Sequence, residues 1–372
     1  MLHSPQSLRA LIGVHHEHAQ RKGIRKMKAL VFDGPWKMEV RERDARSPGP
    51  GEVQVRIEAT GICGSDIHGY TGTTGRRHEG QVMGHETVGR ISALGSGVKG
   101  MSEGDLVTIN PVMSCGVCSN CVDGSEQSCS VLRVFGVVPD LDAAFAEFAT
   151  IPQQNIVLLP HLKKSHLGAL IEPLAVGFHA ARISNIDAGS DVLIIGGGPI
   201  GQAAALAARR LGAGRVIVSE LSQKRIDLLT SLGMTCVHPA NVEIELADLS
   251  ATPSVVIDAV GNSETMAIGL TLSSTRSRIV LVGMAEPSLT IPAYRVSVDE
   301  RIIMGSFCYS YRDFRETADW VSSHEEEVAP LIDRTIPLDQ GPQIFDDLGH
   351  QTIDAHKILL TPRKQRQLKG NS

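Results

Sequence analysis

No apolar run in this sequence approaches the length of a membrane span; the longest candidates, around Val192–Ile195 and Ile279–Val282, are strand-sized. Basic charge is not in excess either. The formal net charge is −5, so nothing in the overall balance points toward nucleic acid. Internal repeats and low-complexity tracts are absent, which sets repeat architectures aside. An even set of cysteines is missing too: there are seven, and four of them crowd between Cys115 and Cys129. That crowding suits a metal site in a reducing compartment, the cytoplasm, better than a secreted disulfide framework.

What is present is ordinary globular material, 42% hydrophobic and 21% charged. At 372 residues the chain is too long for one ordinary core, so two domains are expected. The first 26 residues stand apart. They are basic and acid-poor, with Arg9, Arg21, Lys22, Arg25 and Lys26 against Glu17 alone, and they lack the apolar core of a secretory signal. Met27 then opens what reads as a natural start followed by a strand. A disordered extension over 1–26 is the expectation, with a transit peptide as the alternative.

From Met27 to about Phe148 short strands alternate with glycine turns. Val53–Ala59 has the period of a half-buried strand, preceded by the turn punctuation Pro48-Gly49-Pro50-Gly51. Near Glu172 the pattern changes. Asp191–Ile195 is a continuous apolar run, Gln202–Leu211 is alanine-rich and helical, Arg215–Val218 is a strand and Gln223–Leu232 a helix. Val255–Ile257, Ile279–Val282 and Ile302–Gly305 add further buried-type strands. Strand and helix in alternation predict a doubly wound parallel sheet with helices on both faces. A helix at Arg312–Ser323 and a strand at His356–Leu360 close the chain.

Gly196-Gly197-Gly198-Pro199-Ile200-Gly201 satisfies G-x-G-x-x-G, with Gly196, Gly198 and Gly201 at the key positions. The first glycine permits a tight turn, the second a close approach of backbone to pyrophosphate, the third helix–strand packing. A strand before it and a helix after it supply the required context. Glu220, at the end of the next strand, is placed to accept ribose hydroxyls and to repel a 2′-phosphate, which favours NAD over NADP. Arg225 complicates this, because it could lie over adenine or pair with a phosphate.

Cys115, Cys118, Cys121 and Cys129 offer four thiolates in a glycine-rich loop, a closed tetrahedral shell of the kind a structural zinc needs. An iron–sulfur cluster or four idle thiols are the alternatives. A second constellation is dispersed: Cys63, His85-Glu86 and Glu172. Cys63, His85 and Glu86 could hold a catalytic zinc with one position open, and Glu172 could serve as an outer or exchanging ligand. Asp66 could orient His85 through a hydrogen bond. Taken singly, each of these has an ordinary core reading; only together with the cofactor motif do they rise above it.

In order, the chain carries Gly61-Ile62-Cys63-Gly64-Ser65-Asp66-Ile67-His68, Gly84-His85-Glu86, the four-cysteine lobe, Glu172-Pro173-Leu174 and the glycine fingerprint. From Met27 to about Pro362 it resembles the zinc-containing medium-chain dehydrogenases, and within them the sorbitol (polyol) dehydrogenase branch. The resemblance implies an α/β fold: a GroES-like β-rich catalytic domain (27–178 and 310–372) with an inserted Rossmann domain (179–309). It implies a proton relay through Ser65 and His68, and cofactor contacts at Ile200, Glu220, Arg225, Val282, Gly283, Met284, Ser306, Phe307 and Cys308. Where the branch commonly carries an arginine–tyrosine pair, this chain has Cys308 and Tyr309, which leaves Tyr309 as a substrate contact and argues against a strictly sorbitol-like substrate. The implied reaction is NAD-linked, zinc-dependent oxidation of a secondary alcohol, in a homotetramer or homodimer with small molecules rather than nucleic acid or membrane as partners. Threonine-type and sugar-phosphate-type dehydrogenases, and a non-catalytic NAD- and zinc-binding protein, are the alternatives.

Overall fold

The computed structural model describes residues 25–362. The expected disordered extension, apart from Arg25 and Lys26, lies outside those residues. The first strand starts one residue earlier than the sequence suggests, at Lys26, and pairs with Met38–Asp44 along its whole length.

The β-rich part is built on a seven-stranded sheet. Its order is Ile156–Leu158, Leu106–Ile109, Glu86–Leu94, Glu52–Gly61, Lys357–Thr361 and Ile332–Pro337, with Phe148–Pro152 also paired to Glu52–Gly61. Val53, Val55 and Ile57 recur at the strand period and enter one apolar cluster with Ile91, Val107 and Ile109. Lys26–Phe32, Met38–Asp44 and Gln81–Val82 form a smaller sheet whose buried side chains share a second cluster with Ile358 and Leu360.

The other large sheet has six strands, all parallel: Thr235–Val237, Arg215–Ser219, Asp191–Ile195, Val255–Asp258, Arg278–Leu281 and Ile302–Gly305. The order reverses between Asp191–Ile195 and Val255–Asp258, the crevice where doubly wound sheets take ligands. The unbroken apolar run at Asp191–Ile195 follows from cover on both faces. Val192 and Ile194 pack into one cluster, while Leu193 and Ile195 pack into another on the opposite side. Each such side chain contributes roughly 1.5–3 kcal/mol relative to exposure.

The chain enters the parallel sheet through helix Ile171–Ile183 and leaves it through helix Tyr311–Ser323. Its last strands, Ile332–Pro337 and Lys357–Thr361, then rejoin the first sheet beside Glu52–Gly61. The parallel sheet is therefore an insertion into the β-rich lobe. One core joins the two, because Val88 and Leu359 of the first sheet belong to the same cluster as Val192, Ile194 and Val280 of the second. The alanine-rich helix runs Pro199–Arg210, starting earlier than its composition suggests because Pro199 sits at its first turn, where proline's fixed φ and missing N–H are tolerated. Helix Ile171–Ile183, with Pro173 and Gly177, has poor intrinsic propensity; ten of its residues are buried, and packing overrides composition.

The two connecting helices are locked together by Asp313. Its Oδ2 lies 2.7 Å from His179 Nδ1 and accepts the Ser310 hydroxyl at 2.9 Å, and its Oδ1 lies 3.0 Å from Arg182 Nε. Burial alone would raise the Asp313 pKa; the bonds from His179 and Ser310 and the charge of Arg182 bring it below the usual aspartate value. A depressed carboxylate stabilises the fold fully above the ordinary aspartate range and loses that contribution as pH falls through its lowered value. Asp313→Ala is expected to cost about 3 kcal/mol in urea unfolding at neutral pH, with the difference from the parent shrinking in acid. An equal loss at all pH values would show that the carboxylate charge is not what joins the helices.

Candidate active site and metal centres

The glycine loop lies where strand Asp191–Ile195 gives way to helix Pro199–Arg210. At Gly201 a Cβ would fall 1.7 Å from the Gly196 carbonyl oxygen, so only glycine lets the helix start this close to the strand. Glu220 follows strand Arg215–Ser219 and is buried. Its carboxylate accepts the backbone N–H groups of Gly197 at 2.7 Å, Leu221 at 2.7 Å and Ser222 at 2.8 Å. Glu220 thus braces the glycine loop as well as placing a negative charge at the strand end, a second role that spacing does not reveal. Arg225 Nη1 stands 3.7 Å from Glu220 Oε2. Val282, Gly283 and Met284 follow strand Arg278–Leu281, and Ser306, Phe307 and Cys308 follow Ile302–Gly305. All these loops leave the carboxyl ends of parallel strands, with Ile200 on the helix opposite.

At the other end, Cys63 caps helix Gly64–Tyr70 just past strand Glu52–Gly61, and Glu86 opens the neighbouring strand in register with Gly61. This register brings Cys63, His85 and Glu86 together, with donor atoms all within 4.8 Å of one another. A Cβ on Gly61 would lie 2.0 Å from Glu86 Oε2, so the glycine makes room for that carboxylate. Asp66 Oδ1 and His85 Nδ1 face each other at 3.6 Å, both buried and both without a hydrogen-bond partner among the described residues. A carboxylate beside one ring nitrogen is the usual arrangement when the other binds a metal. Burial pushes the His85 pKa down, but Asp66, Cys63 and Glu172 together raise it well above the ordinary value.

Glu172, in the first turn of helix Ile171–Ile183, accepts the Tyr309 hydroxyl at 2.9 Å. Burial pushes its carboxyl up to about 7, helped by Glu86 and opposed by His85, Tyr309 and Lys357. Tyr309 is fully buried, and Cys308 beside it is raised by burial and by the nearby Glu172 and Cys63. The chain that follows loop Ser306–Cys308 is thus tied to Glu172 through Tyr309. Ser65 and His68 lie three residues apart on helix Gly64–Tyr70, Ser65 half-buried and His68 exposed.

Lys357 completes this cluster. Its Nζ donates to Glu86 Oε1 at 2.6 Å, Glu86 Oε2 at 2.7 Å and the Ile62 carbonyl at 3.1 Å, with the side chain almost wholly buried. A metal at this cluster would share Glu86 with an ammonium group.

In the cysteine lobe the sulfurs stand 3.4 Å (Cys118–Cys121), 3.6 Å (Cys129–Cys115), 3.9 Å (Cys115–Cys121) and 3.9 Å (Cys118–Cys129) apart. A tetrahedron with zinc–sulfur bonds of ~2.3 Å has edges of about 3.8 Å, so the spacing fits one zinc and no disulfide. Backbone N–H groups of Cys121 and Ser130 pull the Cys118 thiol down to about 6.

Residues 49–161 match the alcohol dehydrogenase GroES-like domain, and residues 199–323 match the zinc-binding dehydrogenase domain. L-idonate 5-dehydrogenase of Vitis vinifera is 33% identical over 306 residues, covering 79% of this chain and 83% of the relative. This chain belongs to the zinc-binding dehydrogenase family. Among solved structures, a putative zinc-binding dehydrogenase from Sinorhizobium meliloti bound to NADP superposes with a TM-score of 0.82 at 30% identity, covering 91% of this chain and 100% of that one. An alcohol dehydrogenase from Escherichia coli complexed with NADH gives a TM-score of 0.83 at 27% identity, covering 90% of this chain and 99% of that one.

Of the residues around the dehydrogenase's site, Lys357 was not singled out by sequence. Its one signal is a lysine opening the apolar stretch Ile358–Leu360, a poor place for a charge without a partner. In the metal-free protein Lys357→Met should leave Glu86 buried and unpaired, at a cost of about 3–5 kcal/mol. Adding Glu86→Gln should recover a large part of that loss in urea unfolding. A double variant no more stable than Lys357→Met alone would disprove the pairing.

Proposed function

We propose that this dehydrogenase oxidises a secondary hydroxyl of a polyol or sugar acid to the ketone and delivers the hydride to NAD. The observation that supports the reading is the Tyr309 hydroxyl bonded to Glu172 at 2.9 Å, directly after the loop Ser306–Cys308 that we read as a nicotinamide contact, beside the donor cluster of Cys63, His85 and Glu86. The substrate class follows from the polyol-branch resemblance and from the L-idonate activity named for the Vitis vinifera relative.

In this reading Cys63, His85 and Glu86 hold the catalytic zinc with Glu172 in reach, and Cys115, Cys118, Cys121 and Cys129 hold a structural one. When bound, the zinc supplies Lewis acidity that lowers the pKa of the substrate hydroxyl, and the nicotinamide supplies the hydride acceptor. Asp66 orients His85, and Lys357 holds the Glu86 carboxylate in place. Ser65 receives the substrate proton, and the exposed His68 passes it to water; Glu172, bonded to Tyr309, is the second proton holder. Tyr309 lies wholly buried behind Glu172 and acts on the site through its bond to that carboxylate. Gly196, Gly198, Pro199, Ile200 and Gly201 receive the pyrophosphate at the helix N-terminus. Solved neighbours carry NADH in one case and NADP in another, so the choice of NAD rests on Glu220. We assign residues 27–178 and 310–372 to the catalytic domain and 179–309 to the cofactor domain, in a cytoplasmic homotetramer or homodimer.

The test is NADH formation, followed by absorbance, across polyols, sugar acids, diols and threonine, before and after chelation. Chelator-sensitive turnover confined to one of the first two classes is expected. Cys63→Ala should lower turnover at least about 10³-fold, or ~4 kcal/mol, and remove one of two zinc ions by elemental analysis. Full activity in a Cys63→Ala protein depleted of that zinc would overturn the mechanism.

A further inference from the structure

We propose that Asp354, on the segment leading into the last strand, is a coenzyme-specificity residue: it occupies the guanidinium and hydroxyl that would otherwise receive an adenosine 2′-phosphate. The inference rests on the NAD reading above and adds a second acid, from the other lobe, to the one at the strand end.

The start of helix Gln223–Ser231, directly after Glu220, carries the donors that a phosphate seeks: the Ser222 hydroxyl, the Lys224 ammonium and the Arg225 guanidinium. Each of the three is engaged by an acid of the other lobe. Ser222 Oγ donates to Asp354 Oδ2 at 2.5 Å, and Arg225 Nη2 stands 3.4 Å from Asp354 Oδ1. Lys224 Nζ donates to Asp333 Oδ1 at 2.7 Å and to the Asp354 carbonyl at 3.0 Å. Arg225 reaches the cofactor loop as well, since its Nη1 lies 3.8 Å from where a Cβ on Gly198 would stand and 3.7 Å from Glu220 Oε2. Its Nε is buried and without a partner among the described residues, so the guanidinium has donor capacity to spare.

The charges around this corner are Glu220, Asp333 and Asp354 against Lys224, Arg225 and Arg334, so they balance. His356 adds nothing positive, because burial and the neighbouring Lys224 hold its imidazole below the ordinary value. A 2′-phosphate brings close to two negative charges and needs Arg225 and Ser222 as its partners. Asp354 both repels it and holds those partners. Without Asp354 the corner carries one net positive charge, and the hydroxyl and one edge of the guanidinium become available. The ribose hydroxyl of NAD makes no such demand.

Titration calorimetry with NAD and with NADP on the parent, Asp354→Asn and Asp354→Ala proteins tests this without turnover. The parent is expected to prefer NAD. Both variants should raise NADP affinity relative to NAD about tenfold or more, with NAD affinity itself within a few-fold of the parent. An unchanged ratio, or an equal loss for both dinucleotides, would overturn the proposal and leave Asp354 as a contact between lobes. A parent that prefers NADP would overturn the NAD reading itself, and the proposal with it.

Discussion

Lys357 and Glu86 stand 271 positions apart in the chain and meet with both carboxylate oxygens on one ammonium. Neither charge tolerates burial alone, so each requires the other. Glu86–Leu94 and Lys357–Thr361 flank Glu52–Gly61 on its two sides, and the ammonium reaches past that strand's end, where Gly61 has no side chain to obstruct it. The strand order of the β-rich lobe is thus specified by charge as well as by the ladder. A slip of one residue in Lys357–Thr361 would turn the lysine out of the sheet and leave a bare carboxylate beside Cys63 and His85.

That constraint reaches beyond the cluster because of where Lys357 sits in the chain. Three residues earlier is Asp354, bonded to Ser222 and near Arg225 at the adenosine end of the cofactor site. A four-residue segment therefore touches both ends of the region a dinucleotide would span, one end through an exposed ion pair and the other through a buried one. Their strengths differ accordingly. The exposed pair is screened by water and can open; the buried pair is not and cannot open without a large loss.

How much of this was legible in the sequence depended on contact distance along the chain. The cysteine lobe and the glycine loop are local: their geometry is closed within fifteen residues or fewer, so spacing alone conveys it. Cys63, His85 and Glu172 were legible only as a family pattern, since nothing local joins a helix cap, a strand start and a helix 86 positions later. Lys357 had only the weak signal of opening an apolar stretch, and Asp354 and Asp313 had none. Each is a charged residue whose oppositely charged partners lie 129 or more positions away. For Lys357 and Asp313 the error is the same: sequence reading assigns charge to the surface, and the fold returns these charges to the interior in pairs. Asp354 does stay exposed, and only its partner is hidden from the sequence. Helix Ile171–Ile183 escaped for a related reason, because its propensity is poor and its stability comes from the two sheets it joins.

The two donor clusters differ in a way that bears on what each can do. Four sulfurs at tetrahedral spacing saturate a zinc ion; no vertex is left, and such a site can hold a loop together but cannot bind substrate. The other cluster has three donors, one of them already held by an ammonium, and its remaining side faces Glu172, Tyr309 and the end of the Ser306–Cys308 loop. Lys357 bonds both oxygens of Glu86, so if that carboxylate held a metal as proposed it would be a weaker donor and would leave the metal more electron-poor. An electron-poor metal is the better Lewis acid toward a neutral hydroxyl. The same lysine that makes Glu86 tolerable in the interior therefore also sharpens the chemistry proposed for the site, and the requirement for burial and the requirement for reactivity fall on one pair of side chains.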